Sequence, residues 1–383
     1  MTFAAALSEH PLPTHAVGEV VGDVLERLGE PPDLALLFVS GRHTGVLEEI
    51  AGAVRELLAP GWLAGCTTGT VVGGDREVED EPAVALWAAT LPSVAAYRLA
   101  VLPAEGGMAV TGFPRRDELP LDASAILLLG DPYTFPTAEL LAGLREQADV
   151  HLPVIGGLAS AARAPGGNRL VLDGDVFSDG AVAVVVGGVE VEAVVSQGCR
   201  PIGDPMAVTS GEGSIVRELA GRPALDRVQE VLGSLPAADL ALARQGLHLG
   251  RVVDEHKAEY GPGDFLIRNV LGADRENGAV AVGDEVDLGA TVQLQVRDAT
   301  SADEELRRLL AGRAADAALL FTCNGRGTHL FGVPDHDAGV LADALDRVPV
   351  AGMSCAGEIG PVGGRSFLHG FTASIALFRE GRT

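Results

Sequence analysis

Short apolar runs alternate with segments of helical periodicity along the chain, and the same order recurs. Residues 35–40 are an apolar run that predicts a buried strand, and apolar positions three or four apart in 46–57 predict a helix. Residues 62–65 predict a second strand that ends in glycine. A loop at 66–69 is expected to follow it.

The order is found again in the middle of the chain. Residues 125–130 predict a strand, 137–147 a helix and 153–157 a strand that ends in glycines. The two apolar segments 181–186 and 189–195 then predict a hairpin. This copy is the weakest match of the three.

A third copy lies near the C terminus. Residues 318–323 predict the first strand, 338–345 the helix, 350–352 the glycine-ended strand and 371–378 a final strand. The tetrapeptide Ala-Leu-Leu-Phe occurs in the first strand of both this copy and the first copy. Such self-similarity indicates an internal duplication.

The order of elements predicts an α/β fold of mixed sheets with flanking helices, built from internally repeated β-α-β-β units. Glycine and proline accumulate around 203–221, between the second and third copies. We therefore expect two domains, 1–205 and 206–383. The predicted hairpins argue against a purely parallel sheet.

Composition narrows the functional class. The chain of 383 residues is 47% hydrophobic and 21% charged, which is ample for a core. Its formal net charge of −25 disfavours nucleic acids and anionic membranes as partners. No apolar run approaches the roughly 18 residues that a membrane-spanning helix needs. We expect a cytoplasmic protein whose four widely spaced cysteines are thiols.

The loops after the strands are the candidate ligand site, because ligands of open α/β sheets bind outside the carboxyl ends of the strands. If the two strands of each copy run parallel, these loops meet at one edge. The predicted ligand-binding residues are Cys66, Thr67, Thr68, Cys323, Asn324, Arg326, Gly327, Cys355, Gly357, Glu358 and His369.

The charged members of this set suggest a zwitterion such as an amino acid. Arg326 can hold a carboxylate with two parallel hydrogen bonds, and Glu358 can accept an ammonium group. The alternative is purely structural. In that case the glycine-rich loops are tight turns, and Arg326 and Glu358 pair with each other or with their neighbours.

Catalytic and metal sites have weaker support. Cys323 and Cys355, with His329 and His369 near in sequence, contain the parts of a Cys-His nucleophile pair. Residues 352–356 nearly match the G-x-S-x-G motif, and 335–337 (Asp-His-Asp) resemble a metal-binding segment. We expect neither an enzyme nor a metal or cofactor site. A cysteine-dependent enzyme acting on a small molecule stays the alternative.

Several longer motifs resemble the FIST family, and together they cover nearly the whole chain. The C-terminal motifs are long and specific, and the N-terminal ones are shorter. They lie at residues 264–269, 296–298, 320–327, 351–361 and 367–372, and at 65–68, 155–157 and 196–203.

The resemblance implies a sensory domain that binds small ligands, with amino acids as the proposed class, and feeds signal-transduction outputs. In eukaryotes the domain is also joined to F-box proteins. This sequence carries no visible kinase, cyclase or F-box segment, so we expect a signalling partner, of unknown identity, or self-association to provide the output. The resemblance supplies no catalytic residues. An interaction scaffold without a ligand is the third hypothesis.

Overall fold

The computed structural model describes residues 1–104, 107–115, 118–146, 152–257, 259–261 and 263–381, so the end of the predicted helix 137–147 lies outside it. The chain forms two compact units. The first unit contains 1–195, 309–368 and 372–383, and the second unit contains 196–308 and 369–371. This division differs from the predicted domains 1–205 and 206–383, because the third repeat belongs to the same unit as the first two.

The first repeat extends to residue 90. Its elements are β1 (Thr2–Ser8), α1 (Pro13–Leu28), β2 (Leu34–Ser40), a 3-10 helix (Gly41–Val46), α2 (Leu47–Leu58), β3 (Trp62–Thr68), β4 (Thr70–Gly73), β5 (Arg76–Glu79) and β6 (Val84–Thr90). All seven residues of β2 are buried, which explains its unbroken apolar run. The predicted loop at 66–69 is wrong over its first three residues, because β3 continues through Thr68.

The second repeat ends at residue 187, and the strand after it begins the third repeat. Its elements are β7 (Ser93–Ala104), β8 (Gly107–Thr111), β9 (Ala123–Gly130), α3 (Thr137–Glu146), β10 (Val154–Leu158), β11 (Leu170–Leu172), β12 (Asp175–Phe177) and β13 (Ala181–Gly187). The third repeat opens with β14 (Glu190–Ser196).

The second unit is inserted in the third repeat. It contains β15 (Cys199–Glu212), β16 (Ile215–Leu219), β17 (Arg222–Pro223), α4 (Ala224–Ser234), α5 (Ala237–Gln245), β18 (Leu247–Val252), β19 (Phe265–Asp274), β20 (Ala279–Val282), β21 (Thr291–Arg297) and most of α6 (Ala299–Leu310). These strands form a separate sheet with the order β15-β21-β18-β19-β20-β16-β17.

The chain then completes the third repeat. The remaining elements are β22 (Ala317–Cys323), α7 (Thr328–Phe331), α8 (His336–Ala344), β23 (Val350–Cys355), β24 (Glu358–Val362), β25 (Arg365–His369) and β26 (Ala373–Arg379). The prediction of mixed sheets with flanking helices is confirmed.

Each repeat of the first unit has its own sheet, and each sheet has the same plan. Within the described residues the orders are β1-β6-β2-β3-β11-β12, β8-β7-β13-β9-β10-β24-β25 and β14-β26-β22-β23-β4-β5. The two strands that flank the helix of a repeat, such as β2 and β3, are parallel neighbours in all three sheets. The parallel pairs on which the predicted site depends are therefore present.

The hairpins are exchanged between repeats in a cycle. The hairpin β4–β5 of the first repeat pairs with β23 of the third. The hairpin β11–β12 of the second repeat pairs with β3 of the first, and β24–β25 of the third repeat pairs with β10 of the second. No repeat therefore completes its own sheet.

The predicted hairpin 181–186/189–195 is wrong for a related reason. Strand β13 lies in the second sheet, whereas β14 lies in the third sheet beside β26. After the last strand of a repeat the chain crosses to another sheet, so that strand and the next one in sequence do not pair. One hydrophobic core contains residues of all three sheets, including Phe38, Leu127 and Phe321.

A glycine at the same place in each repeat allows the parallel strands to approach closely. A Cβ on Gly65, Gly156 or Gly352 would lie 2.1, 2.1 or 1.9 Å from the carbonyl oxygen of the residue opposite, which is a leucine in each strand pair. Any side chain at these positions would collide with backbone atoms.

We expect Gly352→Ala to lower the free energy of unfolding by about 3 kcal/mol or more, because backbone atoms cannot yield to the new methyl group. The matched control is Gly22→Ala, since Gly22 is exposed within α1 and nothing lies within 4 Å of its added Cβ. There alanine should stabilise by about 0.5–1 kcal/mol. Denaturant midpoints measure both effects. Equal midpoints for the two variants would show that the close approach of the parallel strands does not require glycine at position 352.

Candidate functional site

A polar cavity of about 540 Å³ lies in the first unit, and all three repeats contribute to its lining. The first repeat contributes a strand end and a hairpin, and the third contributes the loop after β22. The lining residues are Gly69, Thr70, Glu77, Glu79 and Asp80, then Tyr133 and 160–163, then Thr322, Cys323, Asn324, Arg326, Gly327, His329, Ser354 and Ala356.

One hydroxyl group from each repeat meets the others beside this cavity. The side-chain oxygens of Thr68 and Ser160 are 3.1 Å apart, and the Ser354 hydroxyl lies 3.4 Å from each. Thr68 and Ser160 both donate to the carbonyl oxygen of Ser354 at 2.7 Å. The hydroxyls of Ser160 and Ser354 accept hydrogen bonds from the backbone of Gly69 and Thr70. This network joins the three repeats.

A buried ion pair holds the loop that follows β22. Arg326 donates from Nε and Nη2 to the two carboxylate oxygens of Asp337, at 2.5 and 2.8 Å, and both side chains are fully buried. Asp337 also accepts from Thr322 at 3.0 Å. The Arg326 guanidinium lies over the ring of Phe331, which stacks on His336.

The bidentate contact predicted between Arg326 and a ligand carboxylate is therefore made to Asp337. Among the described residues, nothing accepts a hydrogen bond from Nη1 of Arg326, although that atom is buried. The whole Arg326 side chain is buried, so this donor is enclosed by the protein.

Burial and neighbouring charges together set the ionisation of three carboxyl groups near the cavity. It raises the pKa of Glu358 to about 8, an increase that hydrogen bonds from Thr372 and the charge of Arg326 offset only in part. Burial and the nearby Asp337 raise the pKa of Glu77 to about 7. Burial also opposes ionisation of Asp337, but Arg326 outweighs it and holds the pKa of Asp337 well below its usual range.

The structure separates the predicted ligand residues into groups. Cys323, Asn324, Arg326 and Gly327 line the cavity, and Thr68 lies beside it in the hydroxyl network. The remaining members of the first unit do not line it. Four of these are Cys66, Thr67, Cys355 and Gly357. The sulfur of Cys66 is 3.1 Å from that of Met353, and Cys355 is buried. The Thr67 hydroxyl accepts from the backbone of Arg169, and the carbonyl oxygen of Gly357 accepts from the backbone of Leu158.

Two predicted residues are placed differently from expectation. Glu358 is fully buried, and its raised pKa leaves it mostly neutral at pH 7, so it does not suit an ammonium group. It accepts hydrogen bonds from the backbone and hydroxyl of Thr372 instead. His369 is buried and belongs to the second unit.

The catalytic and metal-binding candidates are also located. Cys355 is fully buried, and burial raises its pKa, whereas Cys323 and His329 both line the cavity. In the 335–337 segment, Asp335 accepts from the Glu77 backbone and Asp337 binds Arg326. Among the described residues, no group of three or more His, Cys, Asp or Glu side chains is arranged to hold a metal ion.

Several lining residues were missed from the sequence. Glu77, Glu79 and Asp80 come from the unpredicted hairpin β4–β5 and the turn after it, and hairpin exchange brings them to the third repeat. Ser160 follows β10 and Ser354 lies in β23, and both strands were predicted from apolar runs that end in glycine. A hydroxyl group at the end of each of these strands was the signal that could have identified the two residues. Asp337 lay in the segment considered for a metal.

Comparison with known proteins gives a consistent result along the chain. The family model described as the FIST N domain matches residues 33–222, and that described as the FIST C domain matches 224–361. A protein of Mycobacterium tuberculosis, described as uncharacterized, is 44% identical over 388 residues, covering 99% of this chain and 100% of its own.

A second uncharacterized protein, from Mycobacterium bovis, is 44% identical over 389 residues, covering 99% of each chain. FIST domains are associated with signal transduction and small-ligand sensing. Of the helices in the described residues, none is long and apolar enough to cross a membrane.

Removing the partner of Arg326 should be costly. We expect Asp337→Asn to lower the free energy of unfolding by about 3–5 kcal/mol, because it leaves a buried guanidinium without its counter-charge. The control is Asp343→Asn on the same helix, whose side chain is 72% exposed. Chemical denaturation of both variants measures the difference. A loss of similar size in both would mean that the ion pair does not support the loop.

The raised pKa of Glu358 predicts a pH-dependent stability. Between about pH 4.5 and pH 8 the unfolded chain ionises this group while the folded protein keeps it protonated, so stability falls as pH rises. Glu358→Gln removes the titration. Its advantage over the native protein should grow from pH 5 to pH 8, to at most about 5 kcal/mol. Unfolding midpoints across this range test it, and a difference that does not change with pH would refute it.

Proposed function

The chain belongs to the FIST family, and we propose that it is a cytoplasmic sensor of a small polar ligand that binds in the cavity shared by the three repeats. The observation that carries this proposal is the cavity itself. Its volume of about 540 Å³ lies in the range of small-molecule sites, which is roughly 300–1,000 Å³. A solid junction of loops would have favoured the interaction scaffold.

The lining supports a ligand that carries an amino group. Glu79 and Asp80 line the cavity with Glu77, and Arg326 has its charge balanced by Asp337. Carboxylates near an ammonium group favour its charged form and bind it. Arg163, which is exposed at the cavity, can meet a carboxylate at the other end of the ligand. An amino acid has both groups.

The shared lining also supports a signalling role. A ligand that contacts all three repeats stabilises the arrangement in which they meet, and a partner protein can recognise that arrangement. In this proposal the cavity binds and releases its ligand without turning it over. The four cysteines are thiols in the structure, which supports a reducing compartment such as the cytoplasm.

Thermal shift measurements against the individual amino acids test the proposal. A ligand present at 100 times its dissociation constant stabilises the folded protein by about 2.7 kcal/mol and raises the Tm. We expect at least one amino acid to do so at millimolar concentration. If none of them changes the Tm, amino acids are not the ligand.

Matched variants locate the binding site. Asn324→Ala removes an exposed amide from the cavity, and it should weaken binding about tenfold, measured by calorimetry, without changing the Tm of the ligand-free protein. The control is Asn277→Ala, at an exposed asparagine of the second unit. Equal affinities for these two variants would place the ligand outside the cavity.

A further inference from the structure

The lining of the cavity carries more negative than positive charge. Glu77, Glu79 and Asp80 line it together with Arg163, which is exposed. With histidine counted as neutral, the described lining residues thus present three carboxyl groups against one exposed guanidinium. The ion pair that holds the loop after β22 does not change this balance, because its two buried charges cancel. A neutral zwitterion therefore leaves at least one carboxyl group without a counter-charge.

Two of these carboxyl groups, those of Glu77 and Glu79, form an acidic pair. They are two residues apart on strand β5, so their side chains lie on the same face of the strand. A Cβ added to Gly327 would lie 2.6 Å from Oε1 of Glu79 and 3.7 Å from Oε2 of Glu77. Oε1 of Glu79 accepts from the backbone and the hydroxyl of Thr328. The acidic pair is therefore held beside the loop of the third repeat.

The surroundings of Glu77 favour a cation beside it. Glu77 is only 4% exposed, and its Oε1 accepts from the backbone of Ala338 at 2.7 Å. Among the described residues nothing donates to its Oε2, and this atom is not fully enclosed, so it reaches the cavity that Glu77 lines. Burial, with the charges of Asp337 and Glu79, raises the pKa of Glu77 to about 7. Positive charge at Oε2 offsets this cost of ionisation.

The other two charged groups are fixed at the junction of the first and second repeats. The backbone N–H of Asp80 donates to the carbonyl oxygen of Gly69, and the N–H of Gly69 donates to the Ser160 hydroxyl. Arg163 follows Ser160 by three residues. Asp80 and Arg163 therefore lie toward this junction, whereas the acidic pair is bonded to the third repeat. The two charges of an α-amino acid group match Asp80 and Arg163.

We propose that the ligand of this cavity is a basic amino acid whose side-chain cation binds the acidic pair. Its α-ammonium group meets Asp80, and its carboxylate meets Arg163. The inference rests on the proposed function, because it names the class of amino acid for the same site. Lysine, ornithine and arginine carry these three charges. Their net positive charge balances the excess negative charge of the lining, which a neutral amino acid does not.

Three probes of similar length separate the charged groups of the ligand. They are lysine, norleucine, which has no side-chain cation, and cadaverine, which has no carboxylate. Calorimetry with the full chain measures the Kd of each. We expect lysine to bind at least about tenfold more tightly than either of the others, because each of them lacks one charged hydrogen-bonding group. Norleucine binding as tightly as lysine would overturn the proposal, and so would cadaverine, since the site would then be one for diamines.

Glu79→Gln tests the acidic pair, because it keeps an acceptor for Thr328 and removes the charge. It should weaken lysine binding at least about tenfold and change norleucine binding by less than about twofold. The matched control is Glu81→Gln, which removes the same charge at an exposed residue outside the lining. Equal lysine affinities for these two variants would show that the acidic pair does not bind the side-chain cation.

Arg163→Gln tests the other end of the ligand. It should weaken lysine and norleucine by a similar factor and leave cadaverine binding undiminished, since cadaverine has no carboxylate to lose a partner. An unchanged affinity for lysine would contradict the contact between Arg163 and the carboxylate.

The outcomes also separate this inference from the function on which it rests. If neutral amino acids raise the Tm as much as lysine does, the assignment to basic amino acids fails and the amino-acid sensor stands. If no amino acid raises the Tm, the proposed function fails together with the inference.

Discussion

The first unit depends on the exchange of hairpins among its three repeats. Each repeat places its two parallel strands in its own sheet but sends the following hairpin to another sheet. An edge strand left without its hairpin would expose a row of unpaired backbone groups. No single repeat can therefore satisfy its own sheet, and all three must fold together. All three sheets also contribute residues to one common core, so that core forms only when the three repeats fold together.

The cavity is a consequence of this exchange. The hairpin that leaves the first repeat carries Glu77 and Glu79 to strand β23, beside the loop that contains Arg326. Three hydroxyls from three repeats then come within 3.4 Å of one another. The Arg326–Asp337 pair fixes the geometry of the loop that the third repeat contributes to the cavity, because a buried guanidinium is stable only with its counter-charge in place.

The local elements were largely predictable, and their pairing was not. Strands β2, β9 and β22 are short apolar runs in the sequence, and each is buried where predicted except at Cys323, the last residue of β22. The pattern of apolar residues does not show that β13 and β14 belong to different sheets, since either partner buries the same side chains. The exchanged hairpins were missed for the same reason, and with them the carboxylates of the cavity.

The sequence by itself determined the repeated α/β order and the family motifs, and it predicted the loop 323–327 as part of a site. It determined these because apolar periodicity and glycine positions are local properties of a chain. Only the tertiary structure decided that the guanidinium of Arg326 binds Asp337 and that Glu358 is buried and mostly neutral at pH 7. It also decided that Cys323 is the cysteine that lines the cavity. Charge, exposure and partner depend on residues far apart in the chain, which meet only when three sheets share one core.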